Sequence, residues 1–353
     1  MLSYVIVGSG YRAEYFGRIA GRYPDLFRAM FLCRSEEKAA LMERHTGIRA
    51  AVKPGDALAF HPDFAVVTVD REHNAQAAEE WALRGVPVLA ETPAGATLEQ
   101  LHRLWELQER RGARIAVCEQ YHRYPILAAG LRQVEKGVIG EPQSAYLSLC
   151  HDYHAASLLR KMLGTAGEGY TLRGEKRAYP LVDTDSRGSA VYDGQSRLQE
   201  GKTVHITFDS GKTAVYEFAS VQYRTFLRSR HLVLRGSRGE WSDNLIACLD
   251  GENQPDRIFL MPDLPARYRV LDTQAFKDKR KAWQPEMFLD TCQDEMAIAS
   301  MLLDMGDYLS GGPSPYALGE ALEDAYFWLL MEEAVRHPWQ ETASQPMPWR
   351  RKG

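Results

Sequence analysis

The 353-residue sequence is poor in the features that would point away from an ordinary globular protein. Its five cysteines, Cys33, Cys118, Cys150, Cys248 and Cys292, are far apart, odd in number and without Cys-x-x-Cys spacing. That argues against a disulfide framework and against a structural zinc site, and a reducing cytoplasm is expected. No stretch of 18 apolar residues occurs, and Leu2 enters an apolar strand almost at once, so neither a membrane span nor a secretory leader is expected. Charge of one sign is also missing: 43 basic and 47 acidic residues leave a net charge of −4, with the basic residues scattered. Nothing there attracts nucleic acid or an anionic membrane. No internal repeat is evident. What remains, 45% hydrophobic and 25% charged residues, is the make-up of a soluble chain long enough for two domains.

The first sixteen residues carry the strongest positive signal. Tyr4-Val5-Ile6-Val7 reads as a strand and runs into Gly8-Ser9-Gly10-Tyr11-Arg12-Ala13, which opens a helix near Tyr11. A dinucleotide-binding turn needs small residues at three spaced positions, where the chain turns, where it approaches a pyrophosphate and where the helix packs on the strand. Gly8, Gly10 and Ala13 supply them, and the helix start offers free N–H groups and the positive end of its dipole to phosphate. A dinucleotide is therefore expected as cofactor.

Strand-like runs at Tyr4–Val7, Ala29–Cys33, Ala65–Val69, Val86–Ala90 and Arg114–Cys118 alternate with helical patterns at Arg12–Tyr23, Glu36–Thr46, Asn74–Arg84 and Leu98–Arg111. This is the rhythm of a doubly wound parallel sheet. Past Cys118 come a helix near Ile126–Lys136, a turn at Gly137–Pro142, and β-rich segments at Ser144–Cys150, Lys202–Phe208, Thr213–Ser220 and His231–Arg235. The expected fold is α/β: an N-terminal Rossmann domain over 1–120, then an α+β domain over 121–337 with a large, mostly antiparallel open sheet, then a loosely ordered tail over 338–353. Residues 164–201, rich in Gly, Arg, Asp and Ser, read as a loop over the site, and Met287–Leu309 and Tyr316–Val335 read as amphipathic helices.

The second strand ends in Cys33-Arg34-Ser35, where NAD binders place an acid on the ribose hydroxyls. A guanidinium and a hydroxyl suit a 2′-phosphate, which favours NADP(H) and keeps NAD(H) as the alternative. Arg34 as a solvated surface residue is the competing reading. Thr68 ends a strand expected to pass under the cofactor, and Glu91-Thr92-Pro93 ends another. Glu119-Gln120-Tyr121-His122-Arg123 follows the last parallel strand, so Tyr121 or His122 is a candidate proton donor, with packing at a domain junction as the alternative for Tyr121.

The GxGxRA turn, the helix ending in Gly-x-x-Val-Leu-x-Glu-x-Pro, Arg123-Tyr124-Pro125, Gly137-Val138-Ile139-Gly140-Glu141-Pro142, His154 with Leu158, Leu159, Leu163 and Gly164, and Gly236-Ser237-Arg238-Gly239-Glu240-Trp241 together resemble the glucose–fructose oxidoreductase and inositol dehydrogenase (Gfo/Idh/MocA) family. The resemblance implies a Rossmann domain followed by a sheet domain that builds the substrate site and often mediates oligomerisation. It also implies hydride transfer between NAD(P) and a sugar, polyol or related carbonyl compound. Two departures stand out: the family's Glu-Lys-Pro lysine is Thr92, and its Asp-x-x-x-His pair is reduced to His154, with Cys150 at the acid's place.

On that resemblance Gly8, Ser9, Gly10, Tyr11 and Arg12 hold the pyrophosphate. Cys33, Arg34 and Ser35 meet the ribose phosphate, Thr68 and Glu91 lie beside the nicotinamide half, and Thr92, Tyr121, His122 and His154 face a small-molecule substrate. His154 is the first choice of acid–base group, with Asp152 orienting a neighbouring imidazole, and packing under the following helix is the alternative for His154. No metal is expected, since His151 and His154 have no evident third ligand. Two other functions stay open, a C=N reductase with a His or Tyr donor and a non-catalytic nucleotide-binding scaffold. A homo-oligomer, dimer or tetramer, is expected.

Overall fold

The chain is described from a computed structural model, which gives residues 1–184, 190–225, 227–262, 268, 271, 291–338 and 340–350. Its contacts gather into two compact units, one of Met1–Gln120 with Asp294–Tyr326, the other beginning at Tyr121 and taking the chain from Phe327 onward.

The first unit runs β1 (Leu2–Val7), α1 (Tyr11–Arg22), β2 (Phe27–Leu32), α2 (Glu36–Thr46), β3 (Ala50–Ala51), α3 (Pro54–Ala59), β4 (Phe64–Val67), α4 (Arg71–Leu83), β5 (Val88–Ala90), α5 (Leu98–Arg111) and β6 (Ile115–Val117). The strands form one parallel sheet in the order β3-β2-β1-β4-β5-β6. Connections leave β1 in both directions, so a crevice opens at the carboxyl ends of β1 and β4, where α/β sheets take their ligands. Tyr4, Val5, Ile6 and the whole of Phe64–Val67 are buried, as strands covered on both faces by helices must be. The helix starts are written in the sequence: the side chains of Ser35, Asp70 and Thr97 accept from the backbone N–H groups of Lys38, His73 and Gln100. Gly17 lets α1 lie against β2, since a Cβ there would sit 2.6 Å from the Phe31 ring. The parallel Rossmann-type sheet read from the alternating pattern is thus present.

The remaining elements are α6 (Pro125–Glu135), β7 (Pro142–Ser148), α7 (Asp152–Leu163), β8 (Tyr170–Val182), β9 (Ser196–Phe208), β10 (Thr213–Ala219), β11 (His231–Gly236), β12 (Gly239–Ser242), β13 (Leu245–Leu249), β14 (Pro255–Phe259), α8 (Thr291–Leu309), α9 (Leu318–Arg336) and β15 (Thr342–Ala343). The second sheet has nine strands in the order β14-β13-β12-β11-β7-β10-β9-β8-β15, antiparallel except for the β7–β10 pair. Its strands alternate: in β10, Ala214, Tyr216 and Phe218 are buried while Thr213 and Glu217 are exposed. Helix α7 packs on β7 and buries Ala155, Ala156, Leu158, Leu159, Met162 and Leu163. Gly130 lets α6 meet β12, where a Cβ would come within 2.1 Å of the Trp241 ring.

Three expectations change here. Residues 164–201, read as a loop, hold most of the β8–β9 hairpin, whose outer halves have no buried residue and so show no alternation of buried apolar side chains. Residues 294–326, placed by sequence in the second domain, group with the first, because Asp294 and Glu295 pair with Arg12, Arg18 and Arg22. The tail after Pro338, read as loose, is tied down: β15 pairs with β8, Tyr170 N–H donates to Ser344 Oγ at 2.9 Å, and Trp349 is buried.

Candidate active site

In the first unit the site is built on the turn after β1. Gly8 takes φ +135°, and a Cβ there would lie 2.6 Å from Thr68 Oγ1, so only glycine fits. Its N–H donates to the Leu32 carbonyl at 3.1 Å, and Thr68 Oγ1 donates to the Val7 carbonyl at 3.0 Å, which locks the ends of β1, β2 and β4 together. Gly10 is the N-cap of α1 and offers no side chain to its first-turn N–H groups, and a Cβ there would meet nothing within 4 Å. Such an uncapped, open helix start fits a pyrophosphate. Ser9 lies in this turn, and Tyr11 is exposed with its hydroxyl 2.7 Å from that of Tyr15.

Arg12, expected at the pyrophosphate, turns its guanidinium into the unit. Nε donates to Glu91 Oε1 at 2.9 Å and Nη1 to Asp294 Oδ2 at 2.8 Å. Gln120 Nε2 donates to the other oxygen of Asp294 at 2.8 Å, and the Thr92 N–H donates to Glu91 Oε2 at 3.1 Å. Burial opposes charge on Arg12, yet Glu91 and Asp294 outweigh it and raise its pKa further. Burial pushes the Glu91 carboxyl up, with Arg12 holding it back. Asn74 Nδ2 donates to the carbonyls of Glu91 and Pro93, at 2.5 and 2.9 Å, and so fixes the Glu91-Thr92-Pro93 turn, whose Thr92–Pro93 bond is cis. Asp294, Gln120 and Asn74 were not singled out from sequence. Asn74 is a polar residue on the buried face of α4, a signal that was there to be read.

At the end of β2, Cys33 is buried, and that burial, with Glu43 second, raises its thiol pKa. Arg34 is exposed, and Ser35 caps α2 while keeping its hydroxyl proton to donate.

The second unit holds Tyr121, His122 and His154. His151 is the N-cap of α7, so His154 lies in the first helical turn and not on a strand end. The buried His154 ring sits against three others, with centroids 4.4 Å to Tyr121, 4.6 Å to Tyr153 and 4.9 Å to His151. Around them runs a chain of hydrogen bonds. Tyr121 Oη donates to Tyr223 Oη at 3.3 Å, Tyr223 Oη lies 2.7 Å from His151 Nδ1, and His151 Nε2 lies 2.9 Å from Tyr153 Oη. Sequence reasoning missed Tyr223 and Tyr153. Tyr223 stands 72 residues from His151, and no local pattern links them.

Asp152, expected to orient an imidazole, does not. Its backbone takes φ +45°, and its carboxylate lies 3.1 Å from Lys202 Nζ and accepts from Tyr216 Oη at 3.4 Å. Lys202 also pairs with Glu332. His122 is held neutral, its pKa pushed well below the ordinary value by burial first and then by Lys161 and Arg123. Cys150 is fully buried, and no group of three or more metal-ligating side chains occurs among the described residues.

A glycine turn feeding an uncapped helix at the switch point of a 3-2-1-4-5-6 parallel sheet defines a nucleotide-binding Rossmann domain of the dehydrogenase kind. Residues 2–119 match the Gfo/Idh/MocA model, described as an oxidoreductase family with an NAD-binding Rossmann fold. Among curated proteins no sequence matches. Solved structures share the fold at low identity. One is an oxidoreductase from Agrobacterium radiobacter in complex with NAD+, L-tartaric acid and magnesium, at 15% identity and TM-score 0.70, covering 97% of this chain and 98% of that one. Levoglucosan dehydrogenase in complex with NADH is 13% identical with TM-score 0.72, covering 98% and 100%. Biliverdin reductase from Synechocystis, with biliverdin and NADP+, is 16% identical with TM-score 0.64, covering 95% and 99%.

Proposed function

We propose that the chain transfers a hydride between NADP(H) and a sugar, polyol or related carbonyl compound, with the imidazole–phenol cluster of the second unit handling the proton. The observation that carries this reading is the turn at Gly8, which is closed to any side chain against Thr68 yet open at Gly10. When bound, the nicotinamide supplies or takes the hydride. The chain's own residues do the rest. Ser9, Gly10 and Tyr11 present backbone N–H groups to the pyrophosphate, Gly8 makes the turn with its own N–H on the Leu32 carbonyl, and Arg12 holds Glu91 beneath the site and does not contact phosphate. Arg34, exposed with no acid beside it at 33 or 35, and the Ser35 hydroxyl take the 2′-phosphate, which favours NADP(H) over NAD(H).

Thr92 can hydrogen-bond a substrate but cannot act as a cation or take up a proton near neutral pH, so His154, Tyr121 and the groups bonded to them are the acid–base candidates. His122, its pKa held well below the ordinary value by burial and by Lys161 and Arg123, supports position. A Tyr-rich donor set also suits reduction of a C=N bond, and the same experiment separates the two. NADPH consumption is followed against a panel of aldoses and polyol-derived ketones and a second panel of cyclic imines. Turnover confined to the first supports the carbonyl reading, turnover confined to the second replaces it, and tight NADPH binding without turnover on either points to a scaffold. A cytoplasmic homo-oligomer, dimer or tetramer, is the proposed working form.

A further inference from the structure

The first residue of α7, Asp152, takes φ +45°, a conformation that strains any residue with a side chain and that glycine adopts freely. Such an outlier persists only where its surroundings hold it. Here the hold comes from the sheet. Val204 of β9 pairs with Tyr216 of β10, and Lys202 lies two residues before Val204, so Lys202 and Tyr216 share one face. Tyr216 Oη accepts from the Asp152 backbone N–H at 2.9 Å and donates to Asp152 Oδ1 at 3.4 Å. Lys202 Nζ donates to the same Oδ1 at 3.1 Å. Behind it Lys202 pairs with Glu332 of α9, which also accepts from Trp328 Nε1 at 3.2 Å. The Lys202 and Asp152 side chains are only 22% and 16% exposed, so removing either partner leaves the other poorly compensated. Burial opposes charge on Lys202, yet Asp152 and Glu332 outweigh it and raise its pKa. Asp152 lies between His151, whose ring is 5.0 Å from Tyr153 and 5.6 Å from Tyr223, and His154, whose N–H closes the first turn on the His151 carbonyl at 3.2 Å. The path of the chain through residue 152 therefore decides where both imidazoles lie.

We propose that Lys202, together with Tyr216, is a positioning residue for the imidazole–phenol cluster: it clamps Asp152 in the left-handed conformation and so sets His151 and His154 in place through the backbone. The catalytic consequence rests on the hydride-transfer reading above, and the clamp itself does not. The Asp152 carboxylate is engaged by Lys202 and Tyr216, so its hold reaches the rings along the chain and not by a hydrogen bond to either imidazole. Two consequences separate this role from an ordinary buried ion pair. A substitution at 152 acts by the backbone it permits rather than by the charge it removes. Lys202 in turn matters to the rings only while residue 152 needs holding.

Asp152→Ala and Asp152→Gly both remove the carboxylate, but only glycine takes a positive φ without strain. Carbon–proton NMR of the imidazoles in the full chain reads the outcome without substrate, with the His151 and His154 signals assigned by their loss in His151→Gln and His154→Gln. The neighbouring aromatic rings displace these signals from their free-histidine positions. Asp152→Ala and Lys202→Met should move both sets toward free histidine, while Asp152→Gly and Lys202→Arg should leave them near the parent's. Lys202→Met added to Asp152→Gly should change little more. Equal displacement in the alanine and glycine variants, displacement in neither, or a full further shift in the double variant overturns the clamp. Where Lys202→Met does not fold, the alanine–glycine comparison decides alone. A second measurement follows NADPH consumption with DL-glyceraldehyde as the carbonyl probe. Asp152→Ala and Lys202→Met should each lower kcat by about tenfold more than Asp152→Gly does, with the KM for NADPH little changed, and equal losses contradict the proposal. If the parent protein consumes no NADPH, the hydride-transfer reading fails on its own, and the NMR comparison still decides the clamp.

Discussion

Gly8 is the residue on which the cofactor reading turns, because its φ and its distance to Thr68 both exclude a side chain. Gly8→Ala should destabilise the protein by about 1–3 kcal/mol through backbone strain and displace Thr68, measured as a lower urea midpoint with NADPH affinity lost. Arg12 is the second such residue. Its side chain is 28% exposed and neutralises Glu91 and Asp294, at 7% and 14%, so Arg12→Met would strand two carboxylates in the interior. We expect a loss of about 3–5 kcal/mol in urea unfolding, and a smaller one when Glu91→Gln is already present. The turn was legible because everything it needs is local: a strand, three small residues and a helix start. The fate of the Arg12 side chain was not, since its partners lie at 91 and 294. Asp152 was misread for a related reason. Its positive φ, uncommon outside glycine, directs its carboxylate to Lys202, and no sequence pattern announces that conformation.

At the scale of elements, the short helical turn Tyr121–Arg123 carries a pH sensitivity. His122 has its pKa depressed below the ordinary value near 6.5 by burial and by Lys161 and Arg123. The folded state therefore binds fewer protons there than the unfolded state, and its stability is retained above that value and falls as the pH drops below it. The slope contributed is up to about 1.4 kcal/mol per pH unit. Urea midpoints taken between neutral pH and moderate acid should fall less steeply in His122→Gln, and an unchanged slope would remove His122 from the account. The β15 segment is the other element with a measurable role. Trp349 is 4% exposed beyond a two-residue strand on β8, so Trp349→Ala should cost about 3–5 kcal/mol, read as a lower melting temperature. Prolines and a basic cluster hid this anchor in the sequence. The β8–β9 hairpin was hidden differently, by strands with no buried face over their outer halves. The parallel strands of the first unit, apolar apart from Ser3 and Arg28, were the easiest to read.

For the whole molecule, the Rossmann sheet and the mostly antiparallel second sheet follow from patterns that repeat along the chain, whereas the imidazole–phenol cluster depends on a tertiary meeting of residues 121, 151, 153 and 223. Cofactor choice belongs to this scale as well. Arg34→Asp should weaken NADPH binding by about tenfold or more while sparing NADH, a change of about 1.4 kcal/mol or more in calorimetry. The most direct test of the account is a calorimetric titration of the parent protein and of Gly8→Ala with NADPH and with NADH. Saturable binding to the parent, tighter for NADPH and abolished in the variant, is the result predicted here. Binding of neither nucleotide to the parent protein would contradict it.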